Sequence, residues 1–450
     1  MGFSADTIAA LATPVGTSAL AIIRASGPAT AALVSAIFAE TPLPRAARHA
    51  DYRDQRGQLV DDVMFTFFAG PNSFTGEDTL EISCHGNPFI AQRILADLLA
   101  RGCRPAEAGE FSKRAFLNGR MDLSQAEAVM DLIQARSERA LAAANLQLRG
   151  SLGREMEKLI TLLVSILARI EAYIDFPEED LPAEDRSTLL RDLDGLIAQT
   201  ERLIATRHRG ELLRDGIKVV IVGETNAGKS SLLNRLVGRE RALVSAEPGT
   251  TRDYIEERFV LGPHWFRLVD TAGLNSTPTA LEQRGIGKTL EQAEAADLFL
   301  WVIDRTQPLS QLPDSLASRM NAANALAVMN KTDLPAAATH KTPPGLSVAR
   351  ISALTGDGID ELTRAIVHLA DGLLPFTGDE LIAVNARHSF ALDQAKECLA
   401  SGRNKLDENH SSELVASDLR GALDAFGEIS GRVDNEKILD ALFAEFCIGK

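Results

Sequence analysis

The chain reads as a multidomain α/β protein: an α+β N-terminal domain, then a helical domain in two pieces with a parallel α/β domain inserted between them. Three changes of texture predict this. Short β-like runs broken by Gly and Pro give way to an apolar period of three to four residues. From Ile217, β-like runs alternate with helical stretches, and helical spacing returns near the end. The 450 residues suit about three domains at roughly 150 residues each.

Residues 1–118 carry β-like runs at 19–23, 63–68 and 79–83 and a helical run at 88–99. Residues 119–214 form the first helical part. Met156, Leu159, Leu163, Ile166, Ile170 and Tyr173 recur at helical spacing, and Leu189, Leu193, Leu196 and Ile204 repeat the pattern. Between them, Pro177 and Pro182 forbid a continuous helix, and Asp175, Glu178, Glu179 and Asp180 keep the break solvated, so an acidic turn is expected. Residues 215–376 hold apolar runs at 218–222, 266–269, 298–303, 326–329 and 348–351, the sequence form of a parallel sheet wound with helices. Residues 377–450 return to helical spacing at 390–399, 413–426 and 438–446.

Composition excludes several classes. With 45% apolar and 24% charged residues, the chain is neither disordered nor collagen-like. Its 47 basic and 62 acidic residues leave a net charge of -15, which argues against coating nucleic acid by bulk electrostatics; any RNA contact must be local or assisted by a partner. Cys84, Cys103, Cys398 and Cys447 form no CxxC pair, which suits a reducing compartment. The N-terminus lacks a basic n-region, and Pro14 and Gly16 break the apolar stretch that follows, so no secretory signal is expected. The apolar stretch 159–167 contains Thr161 and Ser165 and is flanked by charges, so no membrane span is expected either.

The chemistry concentrates in the inserted domain. Gly223-Glu224-Thr225-Asn226-Ala227-Gly228-Lys229-Ser230 fits GxxxxGK[ST] and follows a β-like run, the context a phosphate loop requires. Backbone N–H groups of such a loop wrap phosphates, Lys229 reaches the β- and γ-phosphates, and Ser230, with Ser231 beside it, brings a hydroxyl to Mg²⁺. Asp270-Thr271-Ala272-Gly273 closes a second strand, placing a carboxylate beside the metal and a Gly N–H near the γ-phosphate; alone this signal is weak. Asn330-Lys331-Thr332-Asp333 matches NKxD, in which the Asp accepts from guanine N1 and the 2-amino group, a pair adenine does not offer. Ser352-Ala353 follows where a motif supporting the base is expected. Together these point to GTP rather than ATP. Thr250-Thr251, after Pro248-Gly249, is placed as a switch loop bringing Thr251 to Mg²⁺, and is also readable as a polar approach to a hairpin. Leu274 stands where Ras-type GTPases carry a water-orienting Gln, so hydrolysis must use another group.

These motifs, with Pro71-Asn72-Ser73-Phe74-Thr75-Gly76-Glu77-Asp78, Gly109-Glu110-Phe111 onward to Asn118, Asp122-Leu123-Ser124-Gln125-Ala126-Glu127-Ala128 and the terminal Phe446-Cys447-Ile448-Gly449-Lys450, resemble the bacterial and organellar tRNA-modification GTPase family MnmE (TrmE) over nearly the whole chain. The resemblance implies an N-terminal folate-binding and dimerisation domain at 1–118, a discontinuous helical domain, and a Ras-like P-loop GTPase domain at 215–376. It further implies a cytoplasmic homodimer working on tRNA with the FAD-binding protein MnmG, in a heterotetramer or larger assembly, away from membranes. GTP is the expected substrate, with Mg²⁺, K⁺ and a one-carbon tetrahydrofolate as cofactors. The product is an aminomethyl or carboxymethylaminomethyl group at C5 of a wobble uridine.

The same resemblance assigns K⁺ to Asn226, Ser245, Glu247 and Thr250, where the cation takes the place of an arginine finger between paired G domains, against the reading of Asn226 as only a turn residue. Glu282 aligns with the glutamate that orients the attacking water, against its reading as a surface charge, whereas 275–280 departs from the family, with Asn275 at a usual Arg and Pro278 within the loop. Folate falls to Arg24, Glu81, Arg120 and Lys450, with Arg120 replacing a Lys. Arg and Glu suit the carboxylate tail and the pterin edge, although Arg24 and Glu81 also read as a core ion pair. Cys447 is placed as a functional thiol near the folate or as a buried structural cysteine. Two other readings stay open: a GTP-dependent switch in ribosome assembly, and a folate-dependent aminomethyltransferase-like protein with a regulatory G domain.

Overall fold

Backbone pairing in the computed structural model builds two six-stranded sheets. The structure describes residues 6–175, 183–240, 256–270, 296–309, 311–337, 343–374, 382–431, 442–444, 446 and 449. The chain divides into one unit of residues 1–130 with 426–450 and another of residues 131–425.

The first unit contains β1 (Ile8–Leu11), β2 (Leu20–Ser26), α1 (Thr30–Phe38), β3 (Ala47–Arg53), β4 (Leu59–Phe68), β5 (Thr79–His85), α2 (Pro88–Ala100), β6 (Arg104–Pro105), α3 (Glu110–Leu117) and the start of α4 (Leu123–Gln134). Its sheet runs β3-β4-β5-β2-β1-β6, antiparallel except for β1 with β6. On one face, Leu33, Val34 and Phe38 of α1 and Ile94 and Leu98 of α2 join Ile23, Phe65, Leu80 and Ile82 in a single core. Phe38 stacks on Phe65 with ring centroids 3.8 Å apart. Asn87 caps α2 by accepting from Phe89 N, with Pro88 in the first turn, where its missing N–H costs nothing. The sequence pattern predicts β2, β4, β5 and α2; the structure adds β1, β3, β6, α1 and α3. Of the seven residues of β3 only Tyr52 is buried, so this edge strand carries no alternating apolar signal.

The second unit opens with α5 (Glu138–Leu148), α6 (Ser151–Asp175), α7 (Ala183–Ile204) and α8 (Arg207–Asp215). The expected stripe on α6 is the buried one, Met156, Leu159, Leu163, Ile166 and Ile170. Then come β7 (Ile217–Val222), α9 (Lys229–Glu240), β8 (Glu256–Leu261), β9 (His264–Asp270), β10 (Leu298–Asp304), α10 (Asp314–Ala317), β11 (Ala325–Asn330), β12 (Ser347–Arg350), α11 (Ile359–Leu373), α12 (Ala386–Asp407) and α13 (Ser412–Ser430). The sheet order is β12-β11-β10-β7-β9-β8, parallel except that β8 runs against β9. All of β11 and all but the last residue of β10 are buried, as expected of central strands covered on both faces. The unread strand, β8, begins with two glutamates at the sheet edge. α12 packs along α7 and starts at a capping box, in which Asn385 Oδ1 accepts from His388 N and Asn385 N donates to His388 Nδ1. The fold class is therefore α+β, helical and doubly wound α/β together. Among the described residues no helix is long and apolar enough to cross a membrane. The acidic break at 176–182 and most of the helical run at 438–446 lie outside the described residues.

Candidate functional site: a phosphate loop facing a purine slot

From β7 the chain passes to β9 and β8 on one side and to β10, β11 and β12 on the other. The carboxyl end of β7 is thus the topological switch point, where open α/β sheets bind ligands. Residues 223–230 occupy that position. Gly223 sits at φ +150°, and a Cβ there would lie 2.2 Å from Val302 O, so the loop can press against β10 only because the residue is glycine. Gly228 sits at φ +98°, and a Cβ there would meet Asn330 Nδ2 at 2.1 Å. α9 then starts at Lys229, so the N–H groups around Ser230 and Ser231 lie at the positive end of a twelve-residue helix. Lys229 Nζ donates to Gly223 O (2.8 Å) and Glu224 O (2.7 Å), which holds the ammonium at the loop.

Asn330 joins the two halves of the site. It is 2% exposed; its Nδ2 donates to Ala227 O (2.8 Å) in the phosphate loop, and its Oδ1 accepts from Ala353 N (2.9 Å) in the Ser352-Ala353 segment. Arg235 of α9 grips the same segment, donating to Ala353 O at 3.0 Å and to Leu354 O. Lys331 adopts φ +64° and places Nζ 2.5 Å from Asp304 Oδ2. Burial pushes the Asp304 carboxyl up, but the bonds from Lys331 and Thr306 outweigh it and hold the group below the usual carboxylate range. The resulting cleft, about 650 Å³, has Asn226, Lys229, Ser230 and Ser231 on one wall and Lys331, Asp333 and Ser352 on the other. Exposed Leu334 and Leu354, each directly after a motif, offer apolar surface beside Asp333; no motif pattern assigns them, and their adjacency was the available signal. Arg235 likewise had no sequence signal.

The structure thus brings Asn226, Ala227, Gly228, Lys229, Ser230, Ser231, Asn330, Lys331, Asp333, Ser352 and Ala353 to one cleft. Asp270 ends β9 opposite Ile221 of β7, beside the strand that launches the loop. Ser245, Glu247, Thr250, Thr251, Thr271, Ala272, Gly273 and Glu282 lie outside the described residues.

The first unit holds the second predicted set. Arg24 on β2 and Glu81 on β5 are direct cross-strand partners. Arg24 donates from Nε (2.9 Å) and Nη2 (2.6 Å) to Glu81 Oε1, and from Nη1 to Gly449 O (3.4 Å). Its guanidinium lies 5.6 Å from the ring centroids of both Phe74 and Phe111. The ion pair is therefore real, yet it is partly open, with the two side chains 15% and 30% exposed. Exposed Arg120 runs beside the loop 71–78, its Cγ 3.3 Å from where a Cβ on Gly76 would lie. That loop is anchored from beneath. Ser26 Oγ donates to Glu77 Oε2 (2.8 Å), Asn118 Nδ2 donates to Thr75 O (2.8 Å), and Arg114, 5% exposed, bonds Glu77, Asp6 and Glu110. Burial pushes the Glu110 carboxyl up, while bonds from Arg104, Glu107 N and Arg114 bring it below the ordinary range. Lys450 and Cys447 lie outside the described residues.

Comparison with known proteins accords with this geometry. A family described as the MnmE helical domain matches residues 123–447, and one described as the GTP-binding protein TrmE N-terminus matches residues 7–120. The chain is 59% identical over 447 residues to the tRNA modification GTPase MnmE of Opitutus terrae, covering 99% of each. It is 45% identical over 449 residues to that of Akkermansia muciniphila and 41% over 455 residues to that of Natranaerobius thermophilus, again covering 99% of each.

Proposed function

The chain belongs to the MnmE (TrmE) family of tRNA modification GTPases and is a GTP hydrolase, and from that footing we propose that it couples hydrolysis to building an aminomethyl or carboxymethylaminomethyl group at C5 of wobble uridine. An FAD-dependent MnmG-type protein is its partner in this reading, and a tetrahydrofolate derivative supplies the carbon. The protein works as a cytoplasmic homodimer, with domains at 1–118, 119–214 with 377–450, and 215–376.

The observation that carries the nucleotide half is the Asn330 bridge, which sets the phosphate loop and the base-reading segments at a fixed spacing. Within that frame each group has a distinct task. The N–H groups at the start of α9 and the Lys229 ammonium receive the phosphates, and Asp333 accepts from guanine N1–H and the 2-amino group. Leu334 and Leu354 shield the base from water, and Lys331, held by Asp304, keeps the loop carrying Asp333 in register. The donor set suits a hard divalent cation: Ser230 lies in the first turn of α9, and Asp270 ends the neighbouring strand, with Thr251 from the switch segment as a further ligand. Mg²⁺ bound there neutralises charge between the β- and γ-phosphates. Asn226 lines the cleft at φ +63°, a conformation Asn tolerates, so it can direct its side-chain oxygen toward a K⁺ shared with Ser245, Glu247 and Thr250. Glu282 orients the attacking water, since Leu274 cannot.

For the one-carbon half, Arg24, Glu81, Arg120 and Lys450 hold the folate, and Cys447 stands near it. Support comes from the partly open Arg24–Glu81 pair, flanked by Phe74 and touching the chain's own tail at Gly449. An ionised carboxylate beside a guanidinium gives an acceptor and a donor edge together, which a pterin and its carboxylate tail can exchange for the internal pair.

The test is mass spectrometry of wobble nucleosides in tRNA from cells lacking the gene. The intact gene should restore the modified uridine, whereas a Lys229→Ala copy and an Arg24→Ala/Glu81→Ala copy should not. Unchanged nucleosides in the deletion strain would refute the pathway; restoration by the Arg24→Ala/Glu81→Ala copy would remove the folate assignment alone.

A further inference from the structure

The helix that opens at the phosphate loop also carries an outer support for the base side of the cleft. α9 starts at Lys229, and Arg235 lies about 9 Å further along it, at 1.5 Å per residue. Its guanidinium donates through Nε to Ala353 O at 3.0 Å and through Nη2 to Leu354 O. A Cβ on Gly356 would lie 3.5 Å from Arg235 Nη1, an ordinary contact distance, so the turn after Leu354 also rests against the guanidinium.

The anchors of residues 352–354 divide by residue. Ser352 is held by its own turn: its N donates to Asp357 O at 2.9 Å, its O accepts from Gly356 N at 2.8 Å, and its Oγ accepts from Thr355 N at 3.1 Å. The next two residues are held from outside. Ala353 N donates to Asn330 Oδ1 at 2.9 Å, and the carbonyls of Ala353 and Leu354 both turn to Arg235. Ala353 and Leu354 line the nucleotide cleft, and Leu354 is 78% exposed, so its own side-chain packing does little to fix it. Arg235 is half-buried and does not line the cleft; it acts from behind the wall. A guanidinium suits this task because its planar edge presents two donors at fixed spacing to two successive carbonyls, whereas an ammonium is a single point charge on a flexible stem.

We propose that Arg235 is a positioning residue for GTP, fixing the carbonyl side of residues 352–354 to the helix that receives the phosphates. The inference rests on the reading above, in which α9 receives the phosphates and this wall, with Asp333, receives guanine. Asn330 ties the wall to the phosphate loop and Arg235 ties it to α9, so two different elements brace it. The two braces differ in consequence. Asn330 also holds Ala227 O in the loop, whereas both hydrogen bonds of Arg235 go to the wall. Loss of Arg235 therefore frees the base side and leaves the groups around the reacting γ-phosphate in place. Binding that is equal in the ground and transition states is removed, which raises KM and spares kcat.

Steady-state GTP hydrolysis by the full-length protein in K⁺ buffer gives the test. Arg235→Ala is expected to raise KM about tenfold or more, the loss of two charge-assisted bonds, with kcat within about threefold of the parent. Arg235→Lys, with one donor point for two carbonyls, is expected between the two. Simple loss of folded protein acts differently, lowering kcat at unchanged KM. If Arg235→Ala does not keep the native circular dichroism, Arg235→Lys decides, with a KM at least about threefold above the parent in support and anything less against. Asp333→Asn is the control for the underlying reading. If its KM for GTP rises while that of Arg235→Ala stays within about threefold of the parent, the positioning role alone is refuted. If neither rises, guanine is received elsewhere and both readings fall. A kcat more than about threefold lower in Arg235→Ala also overturns the proposal, since the residue would then shape the hydrolytic site rather than the base wall.

Discussion

Truncating Asn330 to alanine tests whether the nucleotide cleft is held together by a protein–protein bridge rather than by the nucleotide. The side chain is 2% exposed and makes two bonds of ordinary length, one to Ala227 O and one from Ala353 N. Both partners are themselves buried, at 1% and 5% exposure, so water cannot replace the amide without opening the site. Each polar group left unsatisfied costs about 1–3 kcal/mol, giving about 2–6 kcal/mol for the pair if the two segments stay in place. The chain can relieve this by letting the phosphate loop and residues 352–354 separate. GTP or GDP must then draw them together, and the cost moves into binding. At about 1.4 kcal/mol per tenfold, the lower bound alone predicts a loss of about 30-fold in GDP affinity. Asn330→Asp should fare no better, because it keeps the acceptor for Ala353 N but points an oxygen at Ala227 O. Equilibrium titration with a fluorescent GDP analogue, paired with a dissociation time course, measures both. If either variant binds within threefold of the parent protein, the bridge does not set the spacing and the reasoning is wrong.

Other consequences follow from the same groups. Asp333→Asn should reverse purine preference from GTP toward xanthosine triphosphate, since the amide N–H₂ can donate to the carbonyl at C2; competition binding in which GTP still wins would place base reading elsewhere. The GTPase rate should be higher in K⁺ than in Na⁺ at matched ionic strength, and equal rates would remove Asn226 from a cation site. Arg24→Ala together with Glu81→Ala should weaken tetrahydrofolate binding by about tenfold or more, read by calorimetry, and an unchanged affinity would leave the pair as a structural bridge. His264 is buried, with Nε2 2.9 Å from Asp371 Oδ1, and Arg139 bonds the same carboxylate. Burial lowers its pKa, the bond to Asp371 opposes this, and the Arg139 charge adds to the lowering, leaving it below the usual histidine value. The unfolded chain therefore binds a proton from about pH 6.5 downward before the folded chain does, and stability falls as pH drops through that window by up to about 1.4 kcal/mol per pH unit. Urea midpoints between pH 5 and 7.5 should show a shallower acid limb in His264→Gln; superimposable curves would contradict the assignment.

Legibility in the sequence tracked burial on both faces. β10 and β11 are covered above and below, so their runs are apolar almost throughout and need no neighbour to be recognised. β3 and β8 escape notice because an edge strand buries few side chains: β3 hides Tyr52 alone, and β8 opens with Glu256 and Glu257. β1 and β6 are too short to show a period and exist through their pairing with β2 and with each other. The glycine-rich loop 223–230 is legible in the sequence because its glycines answer local demands: Gly223 must pass Val302 O, and Gly228 must clear Asn330. Arg235 leaves no such trace, because its partners are the backbone carbonyls of Ala353 and Leu354, distant from it in sequence.

The NKxD pattern assigns the guanine contact to Asp333 and groups Asn330 and Lys331 with it as nucleotide-binding; the structure gives those two other tasks. Asn330 directs both ends of its amide into protein, Lys331 turns through a left-handed backbone to reach Asp304, and Asp333 stays exposed at the cleft wall. Two residues position, and under the proposed function the third reads the base. The same division recurs in the first unit, where Arg114 and Glu77 are spent holding the loop 71–78 while Arg24 and Glu81 keep part of their surface open. It follows that variants of the positioning groups and of the reading groups should differ in kind. Loss of Asn330 should weaken all nucleotides alike, since it disturbs the spacing that every phosphate chain needs, whereas loss of the Asp333 carboxylate should weaken guanine selectively and spare the phosphate contribution. A comparison of GDP, inosine diphosphate and xanthosine diphosphate on the two variants resolves this: parallel losses in Asn330→Ala and a base-dependent pattern in Asp333→Asn are required. A base-dependent pattern in Asn330→Ala would mean that its amide contacts the purine after all.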